Sequence, residues 1–318
     1  MSKDKKKKEQ DFRTTIGGQA LIEGILMRGP TKQSVVVRNS DGELVEKVEE
    51  PSFLRQKYKF LGWPFIRGVI TFGESMVYGV KALTYSAEFL PEEEQDKPSK
   101  FDLWIEKRFG TEKAEKFLIG MAVVLGVALA IALFILLPTF LVGFIPNIDG
   151  HIALRSLLEG ITKMIIFFIY LSLCSKMEDV HRLFAYHGAE HKTIFCYEKG
   201  LELNVENVKK QSRFHPRCGT SFLLVVVVLG ILLGFLIQVE NSFARVGLRL
   251  LLLPVLVCIA YEINRWAGAH DNWLSKILTA PGKALQHLTT AEPDEGMMEC
   301  AIRALELVIP EEKGLDRW

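Results

Sequence analysis

The sequence lacks a strong excess of charge, paired cysteines and an apolar stretch at its start. The 318 residues carry a net charge of only +1, so the charge balance predicts no nucleic-acid partner. The five cysteines form no C-x-x-C pair, which argues against a disulfide framework and favours a reducing compartment. The lysines at 3 and 5–8 run into polar residues, so we expect no secretory signal.

The apolar residues are gathered in long blocks. The mean hydropathy is +0.18 although 24% of the residues are charged, which indicates apolar blocks in a membrane and charged blocks in water. A crossing of about 30 Å of hydrocarbon needs roughly 20 apolar residues in a helix. Four segments meet this length: 117–145, a helix with a polar start that is apolar over 164–174, 220–238, and a helix centred on 249–263.

The basic residues predict how these four helices are oriented. The two short turns after the first and third spans hold one basic residue between them, Arg245. The segment between the second and third spans instead carries eight basic residues: Lys176, Arg182, Lys192, Lys199, Lys209, Lys210, Arg213 and Arg217. By the positive-inside rule we expect a multi-pass protein of the cytoplasmic (inner) membrane, in contact with lipid, with both termini and the central segment in the cytosol.

The N-terminal region has the pattern of a small β unit followed by one long helix. Residues 35–38 and 44–48 flank Asp41-Gly42, which predicts a hairpin. Pro64 and Pro91 bracket an amphipathic helix. We expect it either at the bilayer surface or packed on the cytosolic domain, with a seam of small residues for close contact with another helix: Ser75, Gly79, Ala82 and Ser86.

The predicted fold is an α-helical integral membrane protein with four transmembrane helices. A small α+β cytosolic domain is built from the N-terminal β unit, the central loop and the C-terminal helix. The segments are a disordered basic tail (1–13), the cytosolic β unit (14–63), the amphipathic helix (64–90), a linker and short helix (91–116), transmembrane helices 1 and 2 (117–175), a cytosolic segment with an HxxEH motif (176–219), transmembrane helices 3 and 4 (220–263) and a C-terminal cytosolic segment (264–318).

The HxxEH motif is the main functional signal. His187 and His191 lie four residues apart, so a helix would present both imidazoles on one face, with Glu190 within a turn of each. This is the spacing with which a helix offers two ligands to a divalent metal, beside a carboxylate that can act as general base for a water molecule. The alternative interpretation is a polar helix end whose side chains cap carbonyls.

A catalytic metal needs a third protein ligand and an open position. We favour Glu262 or His215, since both are expected at the same membrane face. Three other side chains compete for this role: Cys218, His270 and Asp271. Glu262 is equally well explained by a salt bridge with Arg265 or Arg217. Zinc is the expected metal for a histidine-rich site, and iron or manganese remain alternatives.

Four stretches together resemble the bacterial YqhQ family. They are GGQALIEGILMRGP (17–30), HGAEHK (187–192), HPRCGTS (215–221) and TT-x-EP (289–293). The resemblance covers nearly the whole chain and implies a metal-dependent membrane enzyme whose reaction is not defined. The chain is also similar to HxxEH metallopeptidases, but only over those five residues, which is an analogy of motif and not of fold.

Two functions follow as hypotheses. The first is a metal-dependent hydrolase of unknown substrate, with Glu190 as the catalytic base and His187, His191, Glu262 and His215 as candidate ligands. The second is a non-enzymatic membrane factor that assists the assembly or insertion of other membrane proteins. A transporter is disfavoured because the first, third and fourth spans have almost no mid-membrane charge. The sequence gives no oligomeric state.

Overall fold

The computed structural model describes residues 12–51, 53–91, 99–237, 239, 241–312 and 314–318. Most of the predicted basic tail (1–11) and most of the predicted acidic linker (92–98) therefore lie outside the described residues. The protein is mostly helical. It divides into two compact units, the first formed by Met1–Leu90, Leu171–Val226 and Pro254–Trp318, the second by Pro91–Tyr170 and Val227–Leu253.

The described elements are one sheet and a series of helices. The strands are β1 Gly17–Leu21, β2 Gly24–Arg28, β3 Gln33–Arg38 and β4 Leu44–Glu49. The helices are α1 Leu54–Lys57, α2 Arg67–Ala87, α3 Lys100–Phe109, α4 Thr111–Ile131, α5 Leu137–Gly143, α6 Ile152–Cys174, α7 Glu178–Glu198, α8 Val205–Lys209, α9 Gly219–Leu236, α10 Ser242–Ala269, α11 Trp273–Thr289 and α12 Glu295–Glu306.

The sheet of the first unit is an antiparallel meander in the order β1-β2-β3-β4. The predicted hairpin is confirmed: Asn39 accepts hydrogen bonds from the backbone N–H groups of Asp41 and Glu43, and Gly42 has a φ of 83°. Such a positive φ suits glycine, which has no Cβ to clash in the left-handed region. The hairpin sets the register of β3 against β4, with Val37 opposite Val45.

The two faces of this sheet pack against different helices. Ile25, Met27 and Val36 lie in a core that they share with α7 and α12. Leu26 and Val35, on the opposite face, lie in a second cluster with Ala82 of α2. The alternation along β2 and β3 therefore buries both faces, as expected for strands with a period of two. Burial of this kind stabilises by about 25 cal/mol per Å² of apolar surface.

Helix α2 packs through small residues of the predicted seam, but against the sheet and not against another helix. Gly79, Ala82 and Ser86 are buried, together with Glu74, which accepts a hydrogen bond from the N–H of Leu54. Large apolar residues of the same helix are exposed instead: Phe72, Met76, Val77 and Leu83. The helix thus contacts the sheet with its small residues and presents its large ones outward.

The fold prediction treats the segment between the second and third apolar helices as a loop, which is wrong over most of its length, whereas the helix predicted at the HxxEH motif is present. The segment forms α7, a helix of 21 residues. Glu178 and Asp179 lie in its first turn, where negative charge is favoured by the helix dipole. Most residues from Ala185 to Cys196 are buried, because this half of α7 packs against β1 and α12 in one shared core.

Four helical stretches are long and apolar enough to cross a membrane, as predicted, and this suggests a membrane protein. They are Lys116–Gly143, Ile152–Cys174, Gly219–Leu236 and Phe243–Ala269. The first passes through a π-helical turn at Ala132–Leu136 before Pro138. A proline removes one backbone hydrogen bond and crowds the carbonyl four residues earlier, here that of Phe134, and a wider turn relieves both effects.

The second unit holds a buried ionic cluster around Glu159. Its carboxylate receives Arg155 at 3.1 Å, Arg245 at 3.4 Å and Arg249 at 2.5 Å. Arg155 and Glu159 thus pair along one helix face, and two further arginines from α10 join them. A carboxylate in such a place needs charged partners, since an unpaired one would be costly to bury.

Candidate metal site

Helix α7 and the loop before α9 bring three candidate ligands of two types together. His187 and His191 are one turn apart on α7, with ring centroids 4.3 Å from each other. Nε2 of His187 lies 3.1 Å from Sγ of Cys218. Ligand atoms of His187, His191 and Cys218 all lie within 4.8 Å of one another, so small side-chain movements would bring them to one ion. Imidazole nitrogen and thiolate sulfur are the usual zinc ligands.

Both imidazoles are held through Nδ1 by backbone carbonyls. Nδ1 of His187 lies 2.8 Å from the carbonyl oxygen of Thr289, and Nδ1 of His191 lies 2.5 Å from that of Arg213. A carbonyl oxygen only accepts, so in both bonds Nδ1 carries the hydrogen and donates it. In the neutral rings Nε2 is then the free acceptor, which is how metal-binding histidines are fixed by their outer partners.

Cys218 is buried at the entry to α9. Its sulfur accepts a hydrogen bond from the N–H of Thr220 at 3.4 Å and lies 3.1 Å from the Thr220 hydroxyl. A cysteine binds a metal through its sulfur, and the turn before α9 holds this sulfur 3.1 Å from Nε2 of His187.

Glu190 is buried between α7 and β1. One of its oxygens accepts a hydrogen bond from the N–H of Gly18 at 2.9 Å. Burial raises the pKa of Glu190, while the neighbouring His187 and the Gly18 hydrogen bond oppose that rise. A Cβ at Gly18 would lie 2.6 Å from the carbonyl oxygen of Leu26 and 3.1 Å from the Glu190 carboxyl carbon, so only glycine fits this approach.

His215, expected as a ligand, lies beside the three converging side chains with its ring centroid 5.4 Å from that of His191. Its Nε2 faces Arg217 at 3.3 Å and Glu198 at 3.8 Å, and its backbone is fixed by two hydrogen bonds with Gln286. Burial holds the pKa of His215 well below its usual value, and the nearby His191 and Arg217 act in the same direction.

Glu262, the other expected ligand, is paired elsewhere. Its two oxygens accept hydrogen bonds from Arg67 of α2 at 2.6 and 2.7 Å. The salt bridge weighed as its alternative role is thus present, but the partner is Arg67 and not Arg265 or Arg217. The remaining competitors, His270 and Asp271, lie outside the converging group of described residues, and Asp271 pairs with Lys276.

The converging group therefore contains two of the expected ligands together with Cys218, which was named only as a competitor for the third ligand position. His187, His191 and Cys218 converge in the described residues, and neither Glu262 nor His215 belongs to this group. Cys218 was marked by the HPRCGTS stretch, yet nothing in its spacing separated it from His215. The carbonyls of Thr289 and Arg213 orient the two rings. They could not be found from the sequence, because every residue has a backbone carbonyl.

Comparison with known proteins gives a family without an assigned activity. The model of the family described as "Protein of unknown function (DUF1385)" matches residues 63–311. The chain is 32% identical over 298 residues to the "Uncharacterized protein YqhQ" of Bacillus subtilis (strain 168), covering 91% of this chain and 90% of that protein. No solved structure matches the chain significantly. The chain therefore belongs to the DUF1385 family, in agreement with the resemblance to YqhQ carried by its motifs.

Proposed function

We propose that this protein is a membrane-embedded, metal-dependent hydrolase whose metal ligands are Nε2 of His187, Nε2 of His191 and Sγ of Cys218. The observation that carries the proposal is the convergence of these three atoms, with both Nδ1 hydrogens already given to carbonyl oxygens. A merely polar helix end would need neither the shared direction of two imidazoles nor a buried cysteine between them.

The donor set favours zinc over iron or manganese. A thiolate with two imidazoles suits zinc, whereas manganese prefers carboxylate, carbonyl and water oxygens. Three protein ligands leave a fourth tetrahedral position open, as in catalytic zinc sites. When bound, zinc would supply a Lewis acid that makes water acidic and polarises a substrate oxygen.

Glu190 is the residue that we propose as general base. The N–H of Gly18 holds one of its oxygens, which fixes the carboxylate on the face of α7 that carries His187. Its role is to accept a proton from water and to return it to the leaving group. His187 and His191 bind and orient, and the carbonyls of Thr289 and Arg213 keep their tautomers.

The first test of this function is the metal content of the protein. The metal content of the detergent-purified protein is determined by mass spectrometry for the wild type and for His187→Ala, His191→Ala and Glu190→Gln. We expect one zinc per chain in the wild type and in Glu190→Gln, and its loss in both histidine variants. A wild type that binds no metal after purification without chelators would overturn the proposal.

Catalysis needs its own test. Hydrolysis of a panel of ester, amide and phosphoester probes is compared between the zinc-loaded wild type and Glu190→Gln. A reduction of about 100-fold or more is expected for loss of a general base. Equal rates for the two proteins would leave a metal site without the proposed chemistry.

A non-enzymatic membrane factor is the second candidate, and the outward face of α2 favours it. Met76 and Val77 are about half exposed, and large apolar surfaces of this kind mark interaction sites. The seam residue Gly79 is a poor probe of this idea, because a Cβ there would overlap the side chain of Gln19 and disturb the sheet. Met76→Ser with Val77→Ser changes only the exposed face. Loss of function in cells in this pair, with full function in Glu190→Gln, would favour the binding role.

We also propose that the protein crosses the cytoplasmic membrane four times with both termini in the cytosol. The excess of basic residues between the second and third apolar helices supports this orientation. Green fluorescent protein, which fluoresces only when folded in the cytosol, is fused after Trp318 or inserted after Asn147. Fluorescence is expected from the first fusion alone, and the reverse result would refute the orientation.

A further inference from the structure

We propose that a phosphate-bearing group binds in a cavity beside the candidate metal site. The cavity has a volume of about 350 Å³ and lies wholly within the first unit. Its walls are the start of the described chain, the end of α7, the loop before α9, the end of α10 and one face of α11. The proposal names a substrate class for the hydrolase and rests on that function only for the link to the metal.

Charge is the first argument. The lining contains five cationic residues: Arg13, Lys199, Arg217, Lys276 and Lys283. Only two lining carboxylates, Glu198 and Asp271, oppose them. A concave surface lined by one sign of charge concentrates the field and attracts ions of the opposite sign.

The two carboxylates are already used by two of the cations. Glu198 pairs with Arg217 and also accepts a hydrogen bond from the N–H of Thr14. Asp271 pairs with Lys276. Three cations are therefore left over. An anion with two or three acceptor oxygens would offset this excess, and phosphate has such oxygens.

Two of the three remaining cations donate to neutral oxygens, which an anion could replace. Lys199 donates to the neutral side-chain oxygen of Gln211, and Arg13 donates to the carbonyl of Gly268. Within the part of the chain that the structure describes, neither Lys199 nor Lys283 takes part in a salt bridge.

The cavity lies next to the candidate ligands. Phe195 lines it and packs on the ring of His215 at 4.6 Å between centroids, and His215 in turn lies 5.4 Å from His191. Arg217, another lining residue, directly precedes Cys218. Two side chains, Phe195 and His215, therefore lie between a phosphate held here and His191.

The phosphate has two conceivable sources. Ala267 and Gly268 line the cavity and belong to the last turn of an apolar helix long enough to cross a membrane, where lipid headgroups would lie. A phospholipid headgroup and a soluble phosphoester share the same recognition chemistry. The experiment therefore uses one probe of each kind.

Binding is measured by calorimetry on the full chain in a neutral detergent, after metal removal with a chelator so that the probes cannot bind to an ion. The probes are glycerol 3-phosphate and dihexanoyl phosphatidic acid. The test variant is Lys199→Gln with Lys283→Gln. The control is Lys209→Gln with Lys210→Gln, which removes the same charge from exposed positions of α8 and its end.

We expect at least one probe to bind, and its affinity to fall by about tenfold or more in the test variant but not in the control. Tighter binding of the phosphatidic acid would identify a lipid headgroup, and equal binding a soluble phosphoester. Absence of binding by both probes, or an equal loss in the two variants, would overturn the proposal. Metal content is measured separately, so a protein without metal that still binds phosphate would refute the hydrolase and leave the cavity's ligand established.

Discussion

Nε2 of His187 and Sγ of Cys218 lie 3.1 Å apart although 31 positions of sequence separate the two residues. One belongs to the middle of α7 and the other to the turn that opens α9. Helix α7 and the turn before α9 must both be in place for this contact, so the pair reports on the assembly of the candidate site.

Cys218→Ser tests whether this contact serves a metal. Serine keeps the size of the side chain but is a poor zinc ligand, so zinc affinity is expected to fall by at least about tenfold. Competition with a chromogenic chelator measures the affinity. Cys174→Ser is the matched control, since Cys174 lies at the end of α6 and outside the converging group. Equal affinities in the two variants would remove Cys218 from the ligand set.

Much of the fold was predictable because its signals are local. Asp41-Gly42 between β-branched runs requires a tight turn, and four long apolar runs require helices of membrane length. The third side chain of the converging group, Cys218, could not be predicted from such local signals. Glu262 and His215 carry the right chemistry, yet α2 supplies Arg67 to the first, and Arg217 and Glu198 face the second. These partners are set by tertiary packing and leave no pattern in the local sequence.

The face of α2 that packs inward is a second feature that is set by tertiary packing. The sequence predicts an amphipathic helix with a seam of small residues. The seam packs inward, because Gly79 permits the close approach of Gln19, and several large apolar residues are exposed. Periodicity identifies two faces of a helix, but the closeness of packing decides which of them is buried.

Glu262→Gln separates a structural carboxylate from a ligand. The variant removes the charge that pairs with Arg67, and about 1–2 kcal/mol of stability is expected to be lost because the pair is partly exposed. Zinc stoichiometry is expected to stay unchanged. Thermal denaturation in detergent and metal analysis give the two readouts, with Glu206→Gln on the fully exposed Lys210 pair as the control for stability. Loss of zinc in Glu262→Gln would return this residue to the ligand set.

Gly188→Ala is expected to disturb the support of His187. A Cβ at Gly188 would overlap the carbonyl oxygen of Ala291, two residues after the Thr289 carbonyl that accepts from His187. Displacement of this segment should cost about 1–3 kcal/mol of stability and weaken zinc binding. Gly219→Ala is the control, because nothing lies within 4 Å of a Cβ there although the residue adjoins Cys218. If Gly188→Ala binds zinc as tightly as this control, the Thr289 carbonyl does not position the ring.

The outward face of α2 is expected to contact lipid. Phe72 packs on Phe222 of α9 at 5.9 Å, and a Cβ at Gly68 would lie 2.8 Å from Cys258 of α10, so α2 lies beside two helices of membrane-spanning character. Just before it, Trp63 is 61% exposed and follows the basic residues Arg55, Lys57 and Lys59. Aromatic and basic residues together are typical of the membrane–water interface.

The measurement is quenching of tryptophan fluorescence by brominated phospholipid in proteoliposomes. One variant keeps Trp63 and has phenylalanine at the other four tryptophans: Trp104, Trp266, Trp273 and Trp318. The control has all five replaced and carries Leu201→Trp, at an exposed position after α7. Quenching is expected for Trp63 and not for the control, because only a side chain within the bilayer meets bromine. If Trp63 is instead quenched by aqueous acrylamide and unaffected by the lipid, its surface is open to water, and a protein partner becomes the better candidate for covering it.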